Sequence, residues 1–343
     1  MQSVTLPARQ RVAPVVTLLV LSPIIVEFLF GSTHILMLYL LIPQIGVYGC
    51  GALLIRALVR YRDRSWFAIL LLGLAFSVTL ECVILQTSFV PLPFALYGRA
   101  LGVNWVYLLF QLGYESIWAI VLPIQLTELL FPSRRDDPWL GRWGLPITAI
   151  VFLLASIATW YLFRLAIPKF VHGPAYQTPL LAIGIALAVI VLLVFAALGP
   201  WSSSRPRHQA ARPAPWPWLV GLVAFVLALI WFVLAILSAG VAPSLPAVIP
   251  IVIGLAWAAA AFLLVRHWSA SSVWQDTHRL ALVFGALVVS MLVGFVASGI
   301  VLPADLIGKL VLNVIAFLGL SSLAWRLHRR KTIKDTPVKI MER

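Results

Sequence analysis

LLAIGIALAVIVLLVFAAL, Leu180 to Leu198, holds no charge and no polar side chain. A second run, Leu219 to Leu237, reads LVGLVAFVLALIWFVLAIL and is equally bare. About 20 apolar residues are needed for a helix to cross the hydrocarbon core of a bilayer. Neither run alternates between apolar and polar positions, as the wall of a membrane β-barrel would. In lipid every backbone N–H and C=O must be paired within the chain, which leaves the helix for such segments. These two stretches decide the fold class: an all-α, polytopic integral membrane protein, with the lipid bilayer as its first partner.

The rest of the chain agrees. Of 343 residues, 62% are hydrophobic and 10% charged. Mean hydropathy is +1.03. An ordinary soluble domain carries roughly 25% charged residues, so no water-soluble core would absorb this composition. Ten spans are expected, at 13–30, 35–57, 66–89, 105–131, 145–165, 178–199, 217–238, 247–265, 280–302 and 309–326. Gly31 to His34 leaves only a tight turn between the first two, so a single broken helix or a re-entrant element is the alternative there.

The formal net charge is +14, yet a nucleic-acid partner is not expected. The basic residues lie in short connections between apolar runs, where the positive-inside rule places them. With the N-terminus inside, the ten spans put 21 Lys and Arg on one side and 4 (Arg99, Arg164, Lys169, Lys309) on the other. That asymmetry predicts both termini in the cytoplasm. Arg9 and Arg11 precede an apolar run with no small-residue cleavage site after it, which reads as an uncleaved first helix. Cys50 and Cys82 fall inside spans and read as small buried hydrophobes. Arg-over-Lys bias and abundant Ala, Leu, Val and Trp suggest a bacterial plasma (inner) membrane protein. No cofactor and no metal-ligand set is expected.

Residues 200–217 are rich in Pro, Ser and Arg and cannot be helix. They divide the chain into a six-helix unit at 1–199 and a four-helix unit at 218–326, followed by a basic tail at 327–343. The later unit has few interior polar side chains, with Asp305 assigned to an outer loop. The earlier unit holds nearly all the glutamate: Glu27, Glu81, Glu115 and Glu128 lie in spans, and Glu342 alone lies in the tail. An ionisable group in hydrocarbon costs at least about 2.5–3.5 kcal/mol on insertion scales, so it faces a bundle interior or a wet cavity and has a partner.

At 1.5 Å per residue, Glu81 on the third span and Glu115 on the fourth sit at one depth. Two such carboxyls can share a proton. At 100° per residue, Gln111, Glu115, Trp118 and Gln125 share one arc of the fourth span, a polar stripe interrupted by Pro123. Gln86 lies near the face of Glu81, and Glu27 near His34. Each has a plain alternative. Gln, Ser and protonated Glu also hold membrane helices together, and His34 also reads as an interfacial residue. Glu128, beside the Arg134–Arg135 loop, reads as a salt-bridge residue. Gly46, Gly49, Gly51 and Ala52 form a small-residue face suited to close helix packing. Walker, HExxH, GxSxG and CxxC motifs are absent.

The segments Leu21-Ser-Pro-Ile-Ile-Val-Glu27-Phe-Leu-Phe-Gly31, Val47-Tyr-Gly-Cys-Gly-Ala-Leu-Leu-Ile-Arg56, Leu80-Glu81-Cys-Val-Ile-Leu-Gln86, Ser116-Ile-Trp-Ala-Ile-Val-Leu-Pro123-Ile and Pro138-Trp-Leu-Gly141 carry a resemblance. Over about the first 145 residues the chain resembles a group of uncharacterised multi-pass membrane proteins of actinobacteria and related bacteria. That group is distantly similar to CAAX-protease and bacteriocin-processing (CPBP) intramembrane proteins. The resemblance implies a Glu pair on one helix and His on later helices, activating water for peptide hydrolysis. This chain departs from it. Leu80 and Cys82 flank Glu81, Glu115 stands three residues before Trp118 where a His is expected, and no His falls in a span after the first pair. A peptidase so implied would be inactive or altered.

Two function classes follow. One is a CPBP-related enzyme-like or pseudo-enzyme protein centred on Glu81 and Glu115, acting on a peptide or lipid. The other is a transporter or permease subunit with a polar path along Gln111, Glu115 and Gln125 for a small solute. A structural or partner-binding subunit is a third reading.

Overall fold

The computed structural model describes residues 8–171, 176–199, 213–238, 245–299 and 302–335. Among them are ten helices long and apolar enough to cross a membrane. They are α1 (Val12–Leu29), α2 (Ile35–Tyr61), α3 (Trp66–Ile84), α4 (Trp105–Leu130), α5 (Gly144–Ala166), α6 (Leu180–Leu198), α7 (Pro217–Ile236), α8 (Val248–Ser269), α9 (Asp276–Ala297) and α10 (Pro303–Arg330). Gly31, at φ +99°, turns the chain between α1 and α2, and α2 opens with 3₁₀ geometry over Ile35–Leu40. Positions 200–212 of the expected linker, and the tail from 336, lie outside the described residues.

Helix ends differ from the hydropathy reading in ways that matter. Hydropathy finds the apolar stretch, whereas the hydrogen-bond ladder continues until a turn breaks it. The third span was expected to reach 89, but α3 stops at Ile84 and Gln86 takes a left-handed backbone (φ +59°). The last helix starts earlier, at Pro303, and continues to Asp335. Proline is suited to a first helical turn, where its missing N–H would have no partner anyway. Asp305 is therefore helical and not in a loop, and Lys309 lies inside the helix and not at its first position. The longer helices also enclose His267, His278 and His328, which corrects the expectation that no His lies in a later span.

Inside α1 to α4 the backbone widens into π-helical turns at Ile24–Leu29, Ile45–Gly49, Thr79–Ile84 and Glu115–Val121. Three of them adjoin a proline: Pro23, Pro43 and Pro123. Proline donates no N–H and its ring presses on the carbonyl one turn back. At Pro123, the one proline that follows its π turn, slipping the ladder by one residue relieves both, and such bulges collect at functional sites.

The core runs through α1–α4, α7 and α9. The small-residue face of α2 is used for close approach. A side chain at Gly49 would meet the Leu19 backbone, one at Gly51 the Phe76 ring, and one at Gly46 the Ala155 methyl. Gly285 of α9 lies against the backbone of α7 at Gly221. By contrast α5, α6 and α8 bury little and present continuous apolar faces outward, such as Leu192, Phe195, Val252 and Leu255.

At one end of the bundle a buried arginine organises α2, α4 and the following loop. Arg56, 1% exposed, donates to Glu128 (3.1 Å) and to the carbonyls of Asp137 (3.1 Å) and Arg135 (2.6 Å). Arg60 donates to the same Glu128 oxygen at 2.6 Å. The Arg56 guanidinium lies 3.2 Å from the Trp139 ring centroid. Glu128 is thus a salt-bridge residue, as expected, though its partners are Arg56 and Arg60 and not the neighbouring loop arginines.

At the other end the α3–α4 connection carries a small hairpin. Arg99–Ala100 pairs antiparallel with Val103–Asn104. Leu101 and Gly102 take positive φ between them, the pattern of a tight two-residue turn. The Asn104 amide donates to the carbonyls of Thr87 (2.9 Å) and Val90 (2.7 Å). That fixes the segment just beyond Gln86 against the start of α4.

Candidate functional site

Three glutamates from three helices converge in the first four spans, and each sits on a π-helical turn. Glu27, partly buried on α1, accepts from the Tyr48 hydroxyl at 2.7 Å and from the Thr33 hydroxyl at 2.8 Å. Gln44 donates in turn to Thr33 at 2.8 Å. The donors come from α2 and from the turn before it, so the tight Gly31–His34 connection shapes this part of the site.

Glu81, 1% exposed, accepts from the Thr87 hydroxyl and from the Gln111 amide (3.3 Å). Tyr107 joins the same set of side chains. Thr87 reaches back because the chain reverses at Gln86. Gln86 itself turns away and accepts from Thr178 at 2.7 Å. Gln86 therefore ties α3 to the start of α6 and does not belong to the acid cluster, contrary to its expected place in the polar path.

Glu115, 4% exposed, is the least satisfied member. Among the described residues its Oε2 has no hydrogen-bond partner, and neither has the Trp118 indole N–H one turn on. A buried polar atom without a partner costs about 1–3 kcal/mol, and more if charged. The charges of Glu81 and Glu27 both act on Glu115, and Glu115 acts on the phenols of Tyr48 and Tyr114. Glu81 and Glu115 share one environment but make no hydrogen bond to each other.

The stripe along α4 survives only in part. Gln111 donates to Glu81 on α3, a partner that its place on the arc with Glu115 did not specify. The 100° period that aligned Gln125 with Glu115 does not hold across the π turn at Glu115–Val121, which adds a residue to the turn. Gln125 is partly buried and makes no hydrogen bond to Glu81 or Glu115. Trp118 instead stacks on Tyr114, ring centroids 5.4 Å apart.

His34 stands at the rim. Its Nδ1 is 3.4 Å from Asp305 on α10, and Asp305 also accepts from the Leu36 N–H at 2.9 Å. One turn further on α10, Lys309, 1% exposed, donates to the carbonyls of Leu29 (2.7 Å) and Phe30 (2.6 Å). Those carbonyls end α1, where an ammonium is favoured by the helix dipole and by unpaired acceptors. Gly294 leaves room for this contact, since a side chain there would meet the Phe30 carbonyl and Lys309. Sequence reading placed Asp305 in a loop and Lys309 at the outer edge of the last span, and so missed their contacts. Their four-residue spacing just after Pro303 was the signal that could have found them.

Among the described residues no three His, Cys, Asp or Glu side chains form a group able to hold a metal ion. No family model, curated protein or solved structure matches the chain.

Proposed function

We propose that this chain is a proton-handling membrane protein, a transporter or permease subunit, in which Glu27, Glu81 and Glu115 carry protons. One observation supports this reading above the others. The acids come from three of the first four helices, α1, α3 and α4, and act on one another electrically; Glu27 and Glu81 are held by hydroxyl and amide donors, and among the described residues no lysine or arginine bonds to any of the three. Carboxyls in such surroundings exchange protons through neighbouring hydroxyls, and intramembrane acids of this kind commonly belong to proton relays. The count of 21 cations against 4 on alternate sides supports a topology with both termini in the cytoplasm of a bacterial cell.

The peptidase-like reading that the resemblance implies has less support. Activating water requires a base next to an orienting acid or imidazole. Among the described residues Glu115 Oε2 has no hydrogen-bond partner to orient it. A CPBP-related pseudo-enzyme remains the second reading, carried by the Glu81–Thr87–Tyr107 grouping.

Carboxyl infrared difference spectra on the full chain in nanodiscs test the proposal. A carboxyl band that changes with external pH, and is lost in Glu81→Gln or Glu115→Gln, is the expected result. Spectra silent at every pH, with both variants as stable as the parent, would overturn it.

A further inference from the structure

Glu27 and Glu81 are held by one and the same device. Each lies on a π-helical turn at the end of its helix, α1 or α3. Each helix is followed by a residue of positive φ, Gly31 (+99°) or Gln86 (+59°), which reverses the chain. In both, the returning segment bonds to the main chain of the glutamate: the Thr33 N–H to the Glu27 carbonyl and the Ser88 N–H to the Glu81 carbonyl, each at 3.3 Å. In both, a threonine six residues after the glutamate, Thr33 or Thr87, donates its hydroxyl to the carboxyl. In both, the next helix adds a tyrosine and a glutamine four residues apart, Gln44 and Tyr48 on α2, Tyr107 and Gln111 on α4, a spacing that puts the two on one helix face. Tyr48 donates to Glu27 at 2.7 Å and Gln44 to Thr33 at 2.8 Å. Gln111 donates to Glu81 at 3.3 Å, and Tyr107 hydrogen-bonds to the same carboxyl. Glu115 is outside the pattern: it stands four residues after Gln111, and the position four after Tyr48 is Ala52.

Such a cage suits a group that changes charge. A carboxylate only accepts hydrogen bonds, and hydroxyl and amide donors take the place of its water. Once protonated the carboxyl also donates, and a tyrosine hydroxyl can rotate to accept. Both forms are met without moving the backbone, whereas a glutamate that merely joins helices needs the neutral form alone. We infer that α1–α2 and α3–α4 are two copies of one helical-hairpin unit, each holding one exchangeable proton, at Glu27 in the first and at Glu81 in the second; the assignment rests on the proton-handling reading and deepens it. Several ionisable side chains lie on the elements packed against the two turns. Around Glu27 they are Tyr48 from α2, Tyr114 and Glu115 from α4 and Lys309 from α10; around Glu81 they are Cys82 beside it, Tyr107 from α4, and Tyr161 and Arg164 from α5. α6 carries none, and α9 none after Arg279.

Carboxyl infrared difference spectra between acid and alkaline pH, on the full chain in nanodiscs, test the pairing. Glu27→Gln and Glu81→Gln should each remove one carboxyl band, of similar amplitude, and leave the other present. Thr33→Val should shift mainly the titration of the Glu27 band and Thr87→Val mainly that of the Glu81 band, in the same direction and by a similar amount. Thr33→Ser and Thr87→Ser, which keep the hydroxyl, should titrate like the parent. Cys50 and Cys82 are buried thiols, and their silence toward a polar thiol reagent marks each variant as folded. A band present for just one of the two glutamates, a pH-dependent band lost only in Glu115→Gln, or folded valine variants that titrate like the parent would overturn the inference and leave the proton-handling reading in place. Spectra silent at every pH would overturn both.

Discussion

α3 and α8 are similar in length and hydropathy, yet 67% of the apolar window of α3 is buried inside the molecule and only 6% of that of α8. The difference lies in what each helix carries. α3 has Ser77, Thr79 and Glu81 within its span, and α8 has no polar side chain until Arg266 at its end. A polar group cannot face lipid, so α1 to α4 must turn toward one another, and their π turns and prolines are tolerated because neighbouring side chains satisfy the freed backbone. Helices such as α5, α6 and α8 meet lipid without penalty and need no such partners. Hydrophobicity alone does not bury a helix when the solvent is itself apolar.

This contrast can be broken most sharply at the buried arginine. Arg56→Ala would strip Glu128 of one of its two cations and leave the Asp137 and Arg135 carbonyls without a donor. Breaking a buried pair by removing one partner costs about 3–5 kcal/mol. A large drop in the thermal unfolding midpoint in detergent is expected; an unchanged midpoint would mean that the α2–α4 end is not what holds the inner bundle together. Next comes Gly285→Val, whose side chain would collide with the Gly221 carbonyl and the Phe225 amide nitrogen. Overpacking of this kind costs about 1–3 kcal/mol, and a smaller but clear loss in the same assay is expected. The smallest effect belongs to the lipid-facing helices. Leu192→Ala on α6, at a residue 66% exposed in the protein, should shift stability by no more than about 0.5 kcal/mol. A loss at Leu192 comparable to that at Gly285 would show that α6 packs against something beyond this chain.

The acid cluster sharpens the same contrast. Glu81 and Glu115 were legible as a pair because depth along a helix follows from counting residues at a fixed rise. Gln111 was legible as a member of the polar arc of the fourth span, but not as the partner of Glu81. Tyr48, Thr33, Thr87 and Tyr107 were not, because hydroxyl residues are common in membrane helices and only the approach of neighbouring backbones selects which of them meet a carboxyl. Gln86 and Gln125 were misplaced by one cause: each lies beyond a point where the helix stops or widens, and a regular period does not survive such a point. Lys309 was hidden by a boundary, since a charged residue at the edge of an apolar run reads equally well as loop or as first turn.

The sequence by itself determined the class of the molecule, its ten apolar helices, and the concentration of acids in the first four of them. Those follow from transfer free energies and backbone hydrogen bonding, which act on each segment alone. Only the tertiary structure decided which acids meet which hydroxyls, that among the described residues one Glu115 oxygen has no hydrogen-bond partner, and that Lys309 closes the end of α1. Those depend on π turns and on glycines that let backbones touch, and such effects act between segments far apart in the chain.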